Sequence, residues 1–150
     1  MNKVDYVLRL SLGEIKYDVK FDSWKKSETI EEDAEDWLHR QIENAIADIE
    51  AELVFCLHPC GQPKAQTDEL GDMPQQWHIH LQMPFGWKGS ARAMNNYAHR
   101  YVVNKVLYRW YLTSDLRQQA ADMLDEANKE LEALYLMCRV SKVELKPWRL

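Results

Sequence analysis

Residues 90–113 restrict the fold more than any other stretch of this chain. In helical projection Met94, Tyr97, Tyr101, Leu107 or Tyr108, and Tyr111 follow one strip, while Ala98, Val102, Val106 and Trp110 follow its neighbour. A surface helix needs one apolar stripe. An arc this wide requires packing partners on more than one side. The polar remainder of the helix, Asn96, Arg100, Asn104, Lys105 and Arg109, is modestly basic.

Two further helices are predicted to supply such partners. Residues 28–55 carry Ile30, Ala34, Trp37, Leu38, Ile42, Ala45, Ile46, Ile49 and Leu53 at three-four spacing, with Thr29 and Glu32 as a capping box and an acidic first turn. Residues 115–138 place Leu116, Ala120, Leu124, Ala127, Leu131, Leu134 and Cys138 at the same intervals, with Asp115 and Gln118 as a second capping box. The short "TSD" link makes 90–138 an antiparallel helical hairpin with Ser90 as its N-cap. Trp37, Ile42, Ile46, Ile49, Tyr101, Val102, Leu124 and Leu131 are the expected core.

The remaining segments read as extended or irregular. "VDYVLRLSLGEIKYDVKFDSW" alternates apolar and polar residues on both sides of Gly13, which predicts a β-hairpin within 1–27, with strands near 4–12 and 15–22. "QWHIHLQMP" predicts a strand over 77–83, ended by Pro84. Residues 56–76 hold Pro59, Pro63, Pro74, Gly61 and Gly71 and read as a long surface loop. Residues 139–150 alternate weakly up to Pro147, as a fourth strand or an extended tail. The fold class is therefore α+β, with a three-helix core and a small, mainly antiparallel sheet.

At 150 residues and 46% hydrophobic content, the chain suits one domain with its own core. No apolar run approaches a membrane span, and "MNKVDYVLRLSLGE" lacks the apolar block of a signal peptide, so a cytoplasmic location is expected. Cys56, Cys60 and Cys138 are then expected to be reduced thiols. A net charge of −5 argues against a protein whose main task is neutralising phosphates.

The sharpest chemical candidate is a metal site of Cys56, His58 and Cys60 from "CLHPCG" with His78 and His80, which share one face of a strand. Three residues separate the cysteines, one of them a proline, and no second cysteine pair follows, so the spacing fits no common zinc module. No nucleophile motif such as GxSxG accompanies the Cys60 and His78 pair, "EEDAED" reads as a solvated helix start, and the five glycines are scattered. The expectation is a protein that is not an enzyme and has no cofactor or metal.

From about Glu31 onward, "IADIEAEL", a Pro-rich loop, "YAHRYVVNKVLYRWYLTSD", "ADMLDEANKELEAL" and a short extended tail follow one another. This order, covering about two-thirds of the chain, resembles the head-tail connector, or neck adaptor, proteins of tailed phages and prophages, including the Mu-like group. The resemblance implies a non-catalytic structural protein in a ring between portal and tail, present in the cytoplasm during assembly and in the virion of a phage. It supplies no catalytic residues. Its partners would be further copies of itself and the portal and tail proteins, with no membrane, and DNA at most passing through a channel beside Asp115, Asp122 and Glu126.

Tyr97, Arg100, Tyr108, Arg109 and Tyr111 are the expected interface residues, because tyrosine and arginine dominate interface hot spots. The competing class is a small accessory module that binds nucleic acid or protein through Arg100, Lys105 and Arg109.

Overall fold

The computed structural model describes residues 4–25, 35–58, 75–83 and 86–139. These form an α+β fold of four helices and a two-stranded antiparallel sheet, in the order β1 (Val4–Ser11), α1 (Leu12–Lys25), α2 (Glu35–Glu52), β2 (Gln76–Met83), α3 (Ala91–Thr113) and α4 (Arg117–Arg139). The Thr29 and Glu32 capping box, the body of the Pro-rich loop and the tail from residue 140 lie outside the described residues.

Both strands keep the period-two pattern read from the sequence. Leu8 and Leu10 are buried and lie opposite Ile79 and Trp77, while Arg9 and His78 pair on the solvent side. The strands are far apart in the chain, yet the register is specified because a one-residue slip would turn every apolar side chain to solvent. Leu57 bridges Leu81, and the His58 N–H donates to the His80 carbonyl at 2.9 Å, so the end of the α2 segment adds a short rung beside β2.

The predicted N-terminal hairpin is not formed. Residues 12–25 are helix α1, and β1 pairs with β2 instead. Leu12, Ile15, Val19 and Ser23 form a buried face at three-four spacing, while Tyr17 is 68% exposed and stacks on Phe21 one turn later. The hydrophobic set Ile15, Tyr17, Val19, Phe21 satisfies period two, but Leu12, Ile15, Val19 satisfies period 3.6 equally well. The available partner decides between them: α1 packs against α3.

Helix α2 buries Leu38, Ile42, Ala45, Ile46 and Ile49. Trp37 sits at the edge of the core, half-buried, in an edge-to-face contact with Trp110 at 5.6 Å between ring centroids. Glu35 joins α2 to α1 through Lys16 at 2.7 Å and Lys20 at 3.4 Å. Hydrogen bonding to the Lys16 ammonium holds its carboxyl below the usual carboxylate range. A short 3-10 turn, Val54–Cys56, follows.

Helix α3 is the centre of the molecule, touching α1, α2, α4 and β1. Met94, Ala98, Tyr101, Val102, Val103, Asn104, Val106, Leu107 and Tyr111 are all buried, which accounts for its wide apolar arc. Its start is the expected one, with the Ser90 hydroxyl accepting from the Ala93 N–H at 3.2 Å. The predicted Asp115 and Gln118 capping box is replaced by a different device. Asp115 adopts the left-handed conformation at φ 58°, its N–H donates to the Leu112 carbonyl, and the Leu116 N–H donates to the Tyr111 carbonyl at 2.9 Å. This is the αL stop of a Schellman motif, so Asp115 ends α3 rather than starting α4.

Helix α4 buries Ala120, Ala127, Leu134 and Cys138, a seven- and four-residue spacing that packs it along α3. Leu124 and Leu131, expected in the core, are only half-buried. Small residues at 120 and 127 bring the two backbones close, which leaves less depth for large side chains beside them. At the far end, the Trp87 indole donates to the Met137 carbonyl at 2.9 Å and packs on Tyr6, tying the turn before α3 to the end of α4.

Candidate interaction surfaces

The expected interface residues separate into three environments. Tyr111 is fully buried and belongs to the core, which removes it from any docking surface. As a helix, α1 packs on α3, and its Asp22 lines a cavity together with Tyr111. Arg100 is half-buried beside a small cavity of about 140 Å³, lined also by Asp22, Asn104, Leu107, Tyr111, Met123 and Glu126. Burial raises the Glu130 carboxyl above its usual range, and the Arg100 charge partly opposes that rise. Arg100 therefore balances acids of α1 and α4. Tyr97 is half-buried against the core.

Arg109 is exposed, and Tyr108, like Tyr97, is half-buried with one side against the core. The Lys105 ammonium lies 5.4 Å and the Arg109 guanidinium 5.8 Å from the centre of the Tyr108 ring, so a half-buried aromatic face carries two cations. Leu112, one turn beyond Tyr108, is 42% exposed and extends the strip. Leu112 is not among the expected interface residues, although its helical position places it beside Tyr108 and Lys105.

A second apolar surface lies where the 3-10 turn meets α4. Val54 and Phe55 of the turn are exposed, and the Phe55 ring meets Tyr135 of α4 edge-on at 5.3 Å. The acidic candidates for a channel lining, Asp115, Asp122 and Glu126, are all exposed. Asp115 pairs with Arg117 at 3.3 Å, and Gln118 donates to Asp122 at 3.1 Å.

The metal candidates are spread out. Cys56 is buried next to Cys138, which is itself fully buried. The neighbouring sulfur and burial together push the Cys138 thiol up, so it stays protonated. His78 is exposed and His80 half-buried on the outer side of the sheet, while the His58 imidazole lies 3.9 Å from the Asp5 carboxylate. Cys60 lies outside the described residues. Among the described residues, no group of three or more His, Cys, Asp or Glu is placed to hold a metal ion. The pairing of Cys56 with Cys138 is a contact that spacing alone gave no means of finding.

Two polar links bind the helices around these surfaces. The Tyr101 hydroxyl donates to Asp48 at 2.8 Å, and burial followed by this bond pushes the phenol well above its usual range. His99 meets Asp18 at 2.5 Å, joining α3 to α1. No helix among the described residues is long and apolar enough to cross a membrane. No protein-family model, no curated protein and no solved structure matches this chain.

Proposed function

We propose that this chain is a non-catalytic assembly protein of the phage head-tail adaptor kind, which docks through Lys105, Tyr108, Arg109 and Leu112 on α3. The observation that carries the proposal is the tyrosine bearing two cations beside an exposed leucine. These side chains stand on the helix around which the other elements pack, so little conformational freedom is lost when they dock. Tyrosine and arginine are also the side chains that most often dominate binding at such sites. The order of the three long helices, which resembles that of the neck adaptors, gives the proposal its specific form. The partners are further copies of the chain and a portal or tail protein, and the contact is head-to-tail, the kind that closes into a ring. Lys105 and Arg109 favour an acidic rim on the partner, and the chain itself, at net charge −5, offers such surfaces.

The test is mass photometry of the purified protein, alone over a range of concentrations and with a cognate portal. Arg109→Glu combined with Leu112→Ser changes two exposed side chains and should leave the melting temperature in place. It should weaken assembly by at least about tenfold, the scale of a hot-spot change. Normal assembly by that variant would overturn the proposed surface. Salt-titrated binding to duplex DNA separates the nucleic-acid alternative, because phosphate contacts make affinity fall steeply with ionic strength. Tight, steeply salt-dependent binding lost in the same variant would replace the adaptor reading.

A further inference from the structure

We propose that the cleft between the end of β1 and the first turns of α3 binds a small phosphate ester, with Arg9 and Arg92 holding the phosphoryl group. The cleft encloses about 620 Å³, within the range of about 300–1,000 Å³ typical of small-ligand sites. Arg9, Ser11 and Glu14 line one wall, and Arg92, Asn95 and Asn96 of α3 line the other. Among the described lining residues Ala93 alone is apolar, so the cleft suits an ionic ligand rather than an oily one. The chain carries a net charge of −5, yet two arginines meet here, and among the described residues neither forms an ion pair. Burial raises the Tyr6 phenol above its usual range and the Arg9 charge opposes that rise, while the Tyr6 hydroxyl donates to the Ala91 carbonyl at 2.8 Å. The Arg9 charge therefore acts close to the first turn of α3, where Arg92 stands. Two cations on facing walls match the double negative charge of a phosphate monoester, whose three terminal oxygens can accept from both sides at once.

The walls of the cleft are fixed before any ligand arrives. The Arg9 N–H donates to Asn95 Oδ1 at 3.0 Å, which ties β1 to α3, and His99, which also lines the cleft, meets Asp18 of α1 at 2.5 Å. Ties of this kind reduce the ordering that binding would otherwise require. The Ser90 oxygen already accepts from the Ala93 N–H at 3.2 Å, so its own O–H serves as a donor toward the cleft that it lines. Glu14 restricts the rest of the ligand. An ionised carboxylate only accepts hydrogen bonds and repels a second anionic group, so the organic part of the ester is hydroxylated, as in a sugar phosphate. These residues are distinct from Lys105, Tyr108, Arg109 and Leu112, and the inference does not depend on the proposed docking strip.

Isothermal titration calorimetry on the full chain, with ribose 5-phosphate, ribose and inorganic phosphate as probes, tests it. Ribose 5-phosphate should bind at one site per chain and at least about tenfold more tightly than either of the other two, because each of those lacks part of the contacts. Arg9→Gln and Arg92→Gln each change an exposed side chain and should leave the melting temperature of the ligand-free protein in place. Each should weaken ribose 5-phosphate binding at least about tenfold, the scale of a lost hydrogen bond to a charged group. Arg109→Glu with Leu112→Ser should bind it as the wild type does. No binding of ribose 5-phosphate at millimolar concentration, or binding unchanged in both arginine variants, overturns the proposal. An affinity for ribose 5-phosphate no greater than that for ribose or inorganic phosphate also overturns it. Duplex DNA bound through Arg9 and Arg92 and not displaced by ribose 5-phosphate overturns it as well, and assigns the two arginines to nucleic acid.

Discussion

Residues 4–11 and 12–25 are neighbours with the same apolar-polar alternation, yet the first is a strand and the second a helix. In β1 the alternation is used as written, with Leu8 and Leu10 inward and Arg9 outward. In α1 only Ile15 and Val19 of the alternating set are buried, and Tyr17 and Phe21 face outward. An alternating pattern therefore fixes a structure only when a partner exists for that geometry. β2 provides a ladder of backbone groups for β1, and the flank of α3 provides a surface for a helical stripe.

The largest effect that sharpens this contrast is at Ile15. Ile15→Ala and Leu8→Ala each remove a fully buried side chain and should each lower stability by about 2–5 kcal/mol in denaturant unfolding. Ser11 stands at the changeover, and its hydroxyl accepts from the Glu14 N–H at 3.5 Å. A bond that long places Ser11→Ala at the low end for N-caps, about 0.5 kcal/mol.

A smaller, pH-dependent effect comes from Glu35, which joins α1 to α2. Its carboxyl is depressed in the folded state by Lys16. The stability it contributes is therefore present above the ordinary carboxylate pKa and is lost as the pH falls through the depressed value. Partial exposure limits the contribution to about 0.2–1 kcal/mol. Comparing the wild type with Glu35→Gln from pH 7 downward should show the two converging in acid. A gap that widens in acid would contradict the sign.

The smallest effect is the most diagnostic. Tyr17 would share a face with Ile15 in a strand, but in the helix it is exposed, so Tyr17→Ala should change stability by less than about 0.5 kcal/mol. A loss at Tyr17 equal to that at Ile15 would restore the hairpin.

A strand over 15–22 would remove a helix from the partners of α3, whose wide apolar arc needs cover on more than one side. Tyr111 is core, Arg100 lies beside acids of α1 and α4, and Arg109 is exposed next to the half-buried Tyr108 ring. Asp115 closes α3, although its sequence context also fits the start of α4. The signature of a capping box and the αL position of a helix stop both favour aspartate, and only the backbone angle separates them.

By itself, the sequence determined α3 and α4 to within two residues at each end, the buried stripe of α2, the strand at 77–83 and the inward set of both strands. Periodicity that lasts five or six turns is a local signal with one physical solution, whereas alternation over a few residues waits for a partner. Tertiary structure alone decided that residues 12–25 coil, that β1 crosses the chain to pair with β2, that Cys56 meets Cys138, and that α3 is enclosed on several sides. These outcomes depend on contacts between residues distant in sequence. Their free energy comes from which surfaces can be buried together, a quantity no local pattern contains.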